Sequence, residues 1–229
     1  MEPIQFIQVN LNHTKLAQDN IAREIARFNK NSTNFIIGTQ EPYVHGGKHA
    51  RKPLSCTVYT SKSTPRTAIY TSNALNCWYI EALSNADCTV IQTKINNRQT
   101  VIASIYLDIK DDTVTPQWLH KLLEYTQTRG TALLLCIDTN CHSSSFGPET
   151  NKRGEKLDEF IATYHLNIEN VGSEYTFETS NAHTVIDITL SSRLSVSVTD
   201  WKVDKTNNFS DHNNITFTLC SELIALEKN

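Results

Sequence analysis

The segment Ala132-Leu133-Leu134-Leu135-Cys136-Ile137 is apolar without interruption and stops at Asp138. Six residues are too few for a buried helix and suit a central strand covered on both faces. A chain holding such a strand must supply a packing layer for each side of its sheet, which limits the fold to layered α/β arrangements. The same grammar recurs twice. Residues 34–39 lead to Gln40-Glu41, and Val185-Ile186-Asp187-Ile188-Thr189-Leu190 sets one carboxylate inside a strand that otherwise reads as core. An unpaired buried charge is costly, so Asp187 requires a partner. His212, in Ser210-Asp211-His212, can supply it.

Elsewhere, strand and helix patterns alternate. Residues 4–9 read as a strand, Thr14 as a helix cap, and Leu16, Ile21, Ile25 and Phe28 fall at helical spacing. Residues 42–65, rich in Gly, Lys and His, read largely as loop. Strands are expected over 66–71, 76–82 and 87–94, and Ile95-Asn96-Asn97-Arg98 turns the chain into another at 99–107. Pro116 opens a helix carrying Trp118, Leu119, Leu122 and Leu123. A further helix over 154–164 packs through Leu157, Phe160 and Ile161, and strands follow at 185–190, 194–201 and 214–219. No repeat or linker divides the chain. The expected class is α+β, a four-layer α/β sandwich in which two packed mixed β-sheets are flanked by helices, as one domain over residues 1–229.

Composition narrows the setting. No apolar stretch exceeds six residues, against the roughly 20 needed to cross a bilayer. Met1-Glu2-Pro3 has neither a basic end nor a cleavable apolar segment, so nothing argues for secretion. The six cysteines form no C-x-x-C pair and no zinc-spaced cluster, which fits a reducing compartment. The formal charge of −3 does not advertise a nucleic-acid binder, but site carboxylates count against that sum while phosphate contacts need only local patches. Basic residues do cluster, at Lys48, Arg51 and Lys52, at Lys62 and Arg66, and at Lys152-Arg153.

Acids and a histidine arriving from separate strands suit phosphodiester hydrolysis. That reaction needs a nucleophile, neutralisation of the non-bridging oxygens and help for the departing oxygen. Carboxylate oxygens favour Mg²⁺ or Mn²⁺ over softer ions. An aspartate on one imidazole nitrogen fixes the tautomer and leaves the other nitrogen free to act. The residue types leave both Asp138 and His212 as acceptors for the proton of the attacking water.

The order Asn10, Gln40-Glu41, Tyr106, Asp138-x-Asn140, Ile186-Asp187-x-Thr189-Leu190 and Ser210-Asp211-His212 resembles the endonuclease/exonuclease/phosphatase superfamily, which includes deoxyribonuclease I and abasic-site endonucleases. It resembles more closely the endonuclease domain at the N-terminus of non-LTR (LINE-type) retrotransposon polyproteins. The resemblance spans nearly the whole chain and implies a deoxyribonuclease I-like fold. It also implies a Mg²⁺-dependent enzyme, with Mn²⁺ as a substitute, that nicks double-stranded DNA and leaves a 3′-hydroxyl to prime reverse transcription. A reverse transcriptase domain in cis, nuclear action after cytoplasmic synthesis, and the absence of a membrane or small-molecule cofactor go with it.

By matching position, the resemblance assigns catalysis to Asn10, Glu41, Tyr106, Asp138, Asn140, Asp187, Asp211 and His212. Glu41 and Asp211 become metal ligands with Asn12 as a weaker contributor, and Thr184 and Asn140 phosphate contacts. A hairpin within residues 193–208 is expected to enter a DNA groove through Arg193, Lys202, Lys205, Asn207 and Asn208, with His13 and Gln18 as lesser backbone contacts. Asn12 stands where many abasic-site enzymes have aspartate, and Tyr43 where they have lysine. Both departures point away from repair. An abasic-site endonuclease and an inactive DNA-binding module of the same fold remain the alternatives.

Overall fold

The computed structural model describes residues 3–50, 52–194 and 197–220. In chain order it begins β1 (Ile4–Asn10), α1 (Lys15–Lys30), β2 (Phe35–Gln40), β3 (Val44–His45), β4 (Lys48–His49), β5 (Thr57–Thr60) and β6 (Thr67–Thr71). It continues β7 (Cys77–Tyr79), β8 (Cys88–Ile95), β9 (Arg98–Tyr106), α2 (Gln117–Arg129), β10 (Ala132–Asp138) and α3 (Lys152–Thr163). The last strands are β11 (Asn167–Ile168), β12 (Phe177–Glu178), β13 (His183–Thr184), β14 (Asp187–Ser191), β15 (Ser197–Asp204) and β16 (Asn214–Cys220).

Two six-stranded sheets carry the fold, ordered β15-β16-β1-β2-β6-β5 and β11-β14-β10-β9-β8-β7. Each is mixed and holds one central parallel pair, β1 with β2 and β9 with β10. A parallel pair needs a crossover, and α1 and α2 supply them. Thr14 caps α1, its hydroxyl accepting the Ala17 N–H at 3.2 Å.

Side-chain alternation then assigns the layers. In β1, Ile4 and Phe6 face the core between the sheets, whereas Ile7 and Val9 face α1. The outer face of the other sheet packs Leu119, Leu122 and Leu123 of α2 and Leu157, Phe160 and Ile161 of α3. Gly38 sits where the sheets approach closely, and a Cβ there would lie 3.6 Å from Cys136 Cβ.

Toward one end of the sandwich the inward-facing residues turn polar. Gln8 Nε2 donates to the carbonyls of Ile137 and Ile188 at 3.3 and 3.1 Å, and its Oε1 accepts from Thr189 at 2.9 Å. Gln40 Nε2 donates to Ser104 Oγ and to the Cys136 carbonyl, both at 3.1 Å. These bonds tie the two sheets together and satisfy amides that would otherwise be costly to bury. Two residues further along the strands, on the same face, come Asn10, Tyr106, Asp138 and Asp187.

The structure corrects several expectations. Leu16 is 59% exposed, because α1 buries Ala17, Gln18, Ile21, Ile25 and Phe28 instead. Residues 42–65 hold a two-residue ladder and the edge strand β5. The strand expected over 76–82 stops at Tyr79, before a 3₁₀ turn at Glu81–Leu83. The strand expected over 194–201 occurs at Ser197–Asp204, with residues 195–196 outside the described set. A bulge between Thr199 and Lys202 shifts its register and interrupts an otherwise long open edge.

Candidate active site

Strand register brings the site together. Asp138 pairs with Tyr106 on one side and with Asp187 on the other, and Asn10 pairs with Gln40 in the opposite sheet. The loops that follow hold Asn12, His13, Glu41 and Asn140 at φ of 44°, 51°, 44° and 47°. Asparagine tolerates this left-handed region, whereas Glu41 and His13 sit there at a cost on the order of 1 kcal/mol each. Hydrogen bonds hold the turn closed: Glu41 N–H donates to the Arg66 carbonyl at 2.8 Å and His13 N–H to the Glu41 carbonyl at 2.8 Å.

One half of the site is buried. Asp187 Oδ2 lies 2.8 Å from His212 Nδ1, and Phe177 packs edge-on against the imidazole. Asp187 Oδ1 is buried with no hydrogen-bond partner among the described residues. Asp138 Oδ2 accepts from Asn10 Nδ2 at 2.7 Å, and its other oxygen accepts the Asn140 N–H at 3.2 Å. Asp138, Asp187 and His212 each offer a ligand atom, all within 4.8 Å of one another, so this group could hold a metal ion. Burial, then the Asp187 charge, push the Asp138 carboxyl up to about 7 despite the opposing His212 and Asn10. For His212, burial works against the charged form, but Asp187, Asp138 and Asp211 outweigh it and raise the imidazole to about 9.

The other half is open and dominated by oxygen. Asn10 Nδ2 also donates to Glu41 Oε2 at 3.0 Å, bridging Glu41 and Asp138. His13 Nε2 lies 3.3 Å from Glu41 Oε1. Burial would raise the Glu41 carboxyl, yet hydrogen bonds from His13 and Asn10 and the His13 charge hold it below its ordinary value. The Asp211 carboxylate accepts from Asn12 Nδ2 at 2.9 Å, and its Oδ1 lies 4.0 Å from His212 Nε2. Burial, then the Glu41 and Asp138 charges, push the Tyr106 phenol well above its usual range.

A family model described as "Endonuclease-reverse transcriptase" matches residues 100–216, more than half of the chain and the segment that carries Tyr106, Asp138, Asp187 and His212. The chain belongs to this family. Its fold is that of the endonuclease/exonuclease/phosphatase superfamily. The endonuclease domain of TRAS1, a telomere-specific non-LTR retrotransposon, superposes with a TM-score of 0.79 at 24% identity, over 96% of this chain and 99% of that one. The abasic-site (AP) endonuclease LMAP from Leishmania major gives 0.71 at 11% identity over 95% and 87%. The APE2 catalytic domain from Xenopus laevis gives 0.68 at 14% over 95% and 92%. At these identities the likeness speaks for the fold. No curated protein sequence matches the chain.

Among the residues singled out from sequence, Asn10, Glu41, Tyr106, Asp138, Asn140, Asp187, Asp211 and His212 meet at this end of the sandwich. Asn140 Nδ2 donates to the Leu107 carbonyl at 3.1 Å. Thr184 lies in β13, paired with Phe177, and Phe177 in turn bridges to His212. The expected metal pair is not the compact group, since Glu41 and Asp211 lie outside the Asp138–Asp187–His212 cluster.

The expected DNA-reading hairpin is redrawn. The β15–β16 connection spans residues 205–213 and carries Ser210-Asp211-His212. Arg193 is at the opposite end, because β14 runs away from Asp187 and Ser192 bonds back to Leu133 at the start of β10. Asn208 is buried, its amide donating to the His212 carbonyl and to Asn214 Oδ1, both at 2.8 Å. Lys202 is mid-strand beside α1, in a groove of about 610 Å³ that Asn207 also lines. Lys205 pairs with Glu174 at 2.6 Å. Gln18 is buried and donates to Tyr70 Oη at 2.9 Å. Lys62 pairs with Glu81, Arg153 binds the carbonyls of Asp108 and Asp111, and Arg51 is outside the described residues.

Sequence reasoning missed two supports. The buried Thr176 hydroxyl accepts the N–H groups of Ile186 and Asp187 at 3.1 and 3.0 Å, which aims Asp187. The β12–β13 hairpin hydrogen-bonds to the Asp211 carbonyl through Glu178 N–H at 2.8 Å. Its run Tyr175-Thr176-Phe177-Glu178-Thr179 before Ser180-Asn181 was the available signal.

Proposed function

We propose that the chain is a Mg²⁺-dependent DNA endonuclease. It nicks one strand of double-stranded DNA and leaves a 3′-hydroxyl that primes reverse transcription, with Mn²⁺ as a substitute ion. The carrying observation is the buried Asp187–His212 pair facing Asp138 across one strand register, beside the open oxygen donors of Glu41 and Asp211.

Two donor sets are available for a cation. In the buried set, one of the three donors is an imidazole nitrogen. The open set is all oxygen, the preference of Mg²⁺, so Glu41 and Asp211 would hold it, with Asn12 bonded to Asp211 beside them. When bound, Mg²⁺ supplies charge neutralisation on the phosphoryl oxygens and a more acidic water.

The remaining work falls to side chains. Asp138, raised to about 7, takes the proton of the attacking water. His212, raised to about 9, stays protonated and donates from Nε2 to a non-bridging oxygen. Asn140 and Thr184 contact the same phosphate, and Tyr106 faces it from β9. The water oxygen bonds to phosphorus as the bond to the 3′-oxygen breaks; that oxygen leaves with the electron pair and takes a proton from solvent, to which Asp138 returns the one it accepted. A reverse transcriptase domain in cis would extend the product, and the site of action would be nuclear.

The test is relaxation of supercoiled plasmid with Mg²⁺, its arrest by EDTA, and direct extension of the nicks by a DNA polymerase. Nicking that persists in EDTA contradicts the metal, blocked 3′-ends contradict the priming role, and cutting confined to abasic sites favours repair.

A further inference from the structure

We propose that Arg66 is the positioning residue for Tyr106, locking the phenol ring and the Glu41 main chain into one unit. The proposal rests on the reading of Tyr106 and Glu41 as members of the nuclease site. Arg66 itself belongs to no motif of that reading.

The contacts of Arg66 run to both sheets. It immediately precedes β6 in the first sheet, and its carbonyl accepts the Glu41 N–H at 2.8 Å while its own N–H donates to the Ala86 carbonyl at 2.7 Å. Its guanidinium carbon lies 5.0 Å from the centroid of the Tyr106 ring in the second sheet. Nε donates to Asp87 and Nη1 to Asp108. Both aspartates adjoin the Tyr106 main chain. The Asp87 carbonyl accepts the Tyr106 N–H at 2.9 Å, and Asp108 follows Tyr106 by two residues. Asp108 is pinned in turn, its carboxylate by the Lys110 N–H at 2.9 Å and its carbonyl by Arg153 at 3.1 Å. A planar guanidinium fixed at both edges is a rigid plate, and a ring stacked on it loses its freedom to swing.

A phosphate-binding role is the rival for an arginine beside a nuclease site. The local charge argues against it. One guanidinium, 31% exposed, is flanked by two carboxylates within salt-bridge reach, so an approaching phosphate meets a net negative group. Lysine would preserve the charge but not the two-edged, stacked geometry.

The experiment is a double-mutant cycle between Arg66→Gln and Tyr106→Phe in single-turnover nicking, with Arg66→Lys and Asp108→Asn alongside. Arg66→Gln and Arg66→Lys should each lower the rate about 10- to 100-fold, as expected for a misplaced catalytic group, with DNA affinity and its salt dependence unchanged. In the Tyr106→Phe background Arg66→Gln should add at most about twofold, because both changes remove one function. Asp108→Asn should lower the rate in the same sense, and it serves if the Arg66 variants do not fold. Additive losses, rescue by lysine, or weaker DNA binding with a flatter salt dependence would overturn the proposal. So would tighter DNA binding by Asp108→Asn, which the phosphate role requires. A readout independent of activity is the ¹⁹F spectrum of fluorotyrosine-labelled protein, with the Tyr106 line assigned from Tyr106→Phe. That line should shift or broaden in Arg66→Gln, and an unchanged line contradicts the proposal. Failure of the wild type to nick DNA at all would instead sink the nuclease reading.

Discussion

Asp187 and Glu41 both carry a carboxylate at the end of a sheet, yet their surroundings are opposite. The Asp187 side chain is 2% exposed and spends one oxygen on His212, while the other has no partner among the described residues. Glu41 is 19% exposed and is met on both oxygens, by Asn10 and His13. A buried, half-satisfied charge is an expensive arrangement that makes sense where electrostatics must act in the absence of water. A partly open, hydrogen-bonded carboxylate is where an ion can arrive and leave. On the proposed reading, the comparison divides the site into a buried half that would move protons and a more open half that would receive the cation.

The largest effect should come from breaking the buried half. His212→Ala should reduce single-turnover nicking by about 100- to 1000-fold, the range for losing one preorganised donor. Asp187→Asn should approach that loss, and the double variant should be little worse than His212→Ala alone. Additive losses would show that the two act separately.

Titration sharpens the same division. Rate should climb as pH rises through about 7, where Asp138 loses its proton, and fall above about 9, where His212 loses its own. Each limb should change the rate about tenfold per pH unit. Asp138→Asn should abolish the acid limb, and a wild-type rate flat between pH 6 and 10 would remove both assignments.

Asn208→Ala tests the loop beneath His212. It should lower stability by about 1–3 kcal/mol, since it orphans the buried acceptors on His212 and Asn214, while the cleavage preference over a randomised DNA library stays the same. A changed preference would return Asn208 to base reading. The smallest effect is expected for Lys205→Ala, whose ammonium is shared with Glu174 and Glu178 at the surface. Nicking rate should change by no more than about twofold.

The buried half was the more legible in sequence. A carboxylate between Ile186 and Ile188 in a core strand demands a partner, and His212 was the candidate at hand. The apolar runs announced β2, β10 and β14 because strands covered on both faces are rich in apolar residues. The open half was legible by residue type but not by conformation: nothing in Glu41 or His13 signals a left-handed backbone, which the surrounding hydrogen bonds impose. Arg193 was misplaced because the direction of β14 follows from its antiparallel pairing with β10, a long-range fact. Asn208 misled because a polar residue in a polar segment reads as surface, whereas here it is the buried joint of a turn. Strands of two residues, such as β12 and β13, show too little of a period for the Tyr175–Thr179 run to stand out.

The division of labour is tested most directly by metal rescue of two variants in parallel. Glu41→Gln and His212→Ala would be assayed for single-turnover nicking across a Mg²⁺ titration, after both are shown to retain the fold. Glu41→Gln should regain much of its lost rate as Mg²⁺ rises, because its defect is ion affinity, while His212→Ala should stay slow at every concentration. Recovery of His212→Ala with Mg²⁺, together with a Glu41→Gln variant that does not respond, would place the cation in the buried half and contradict the account.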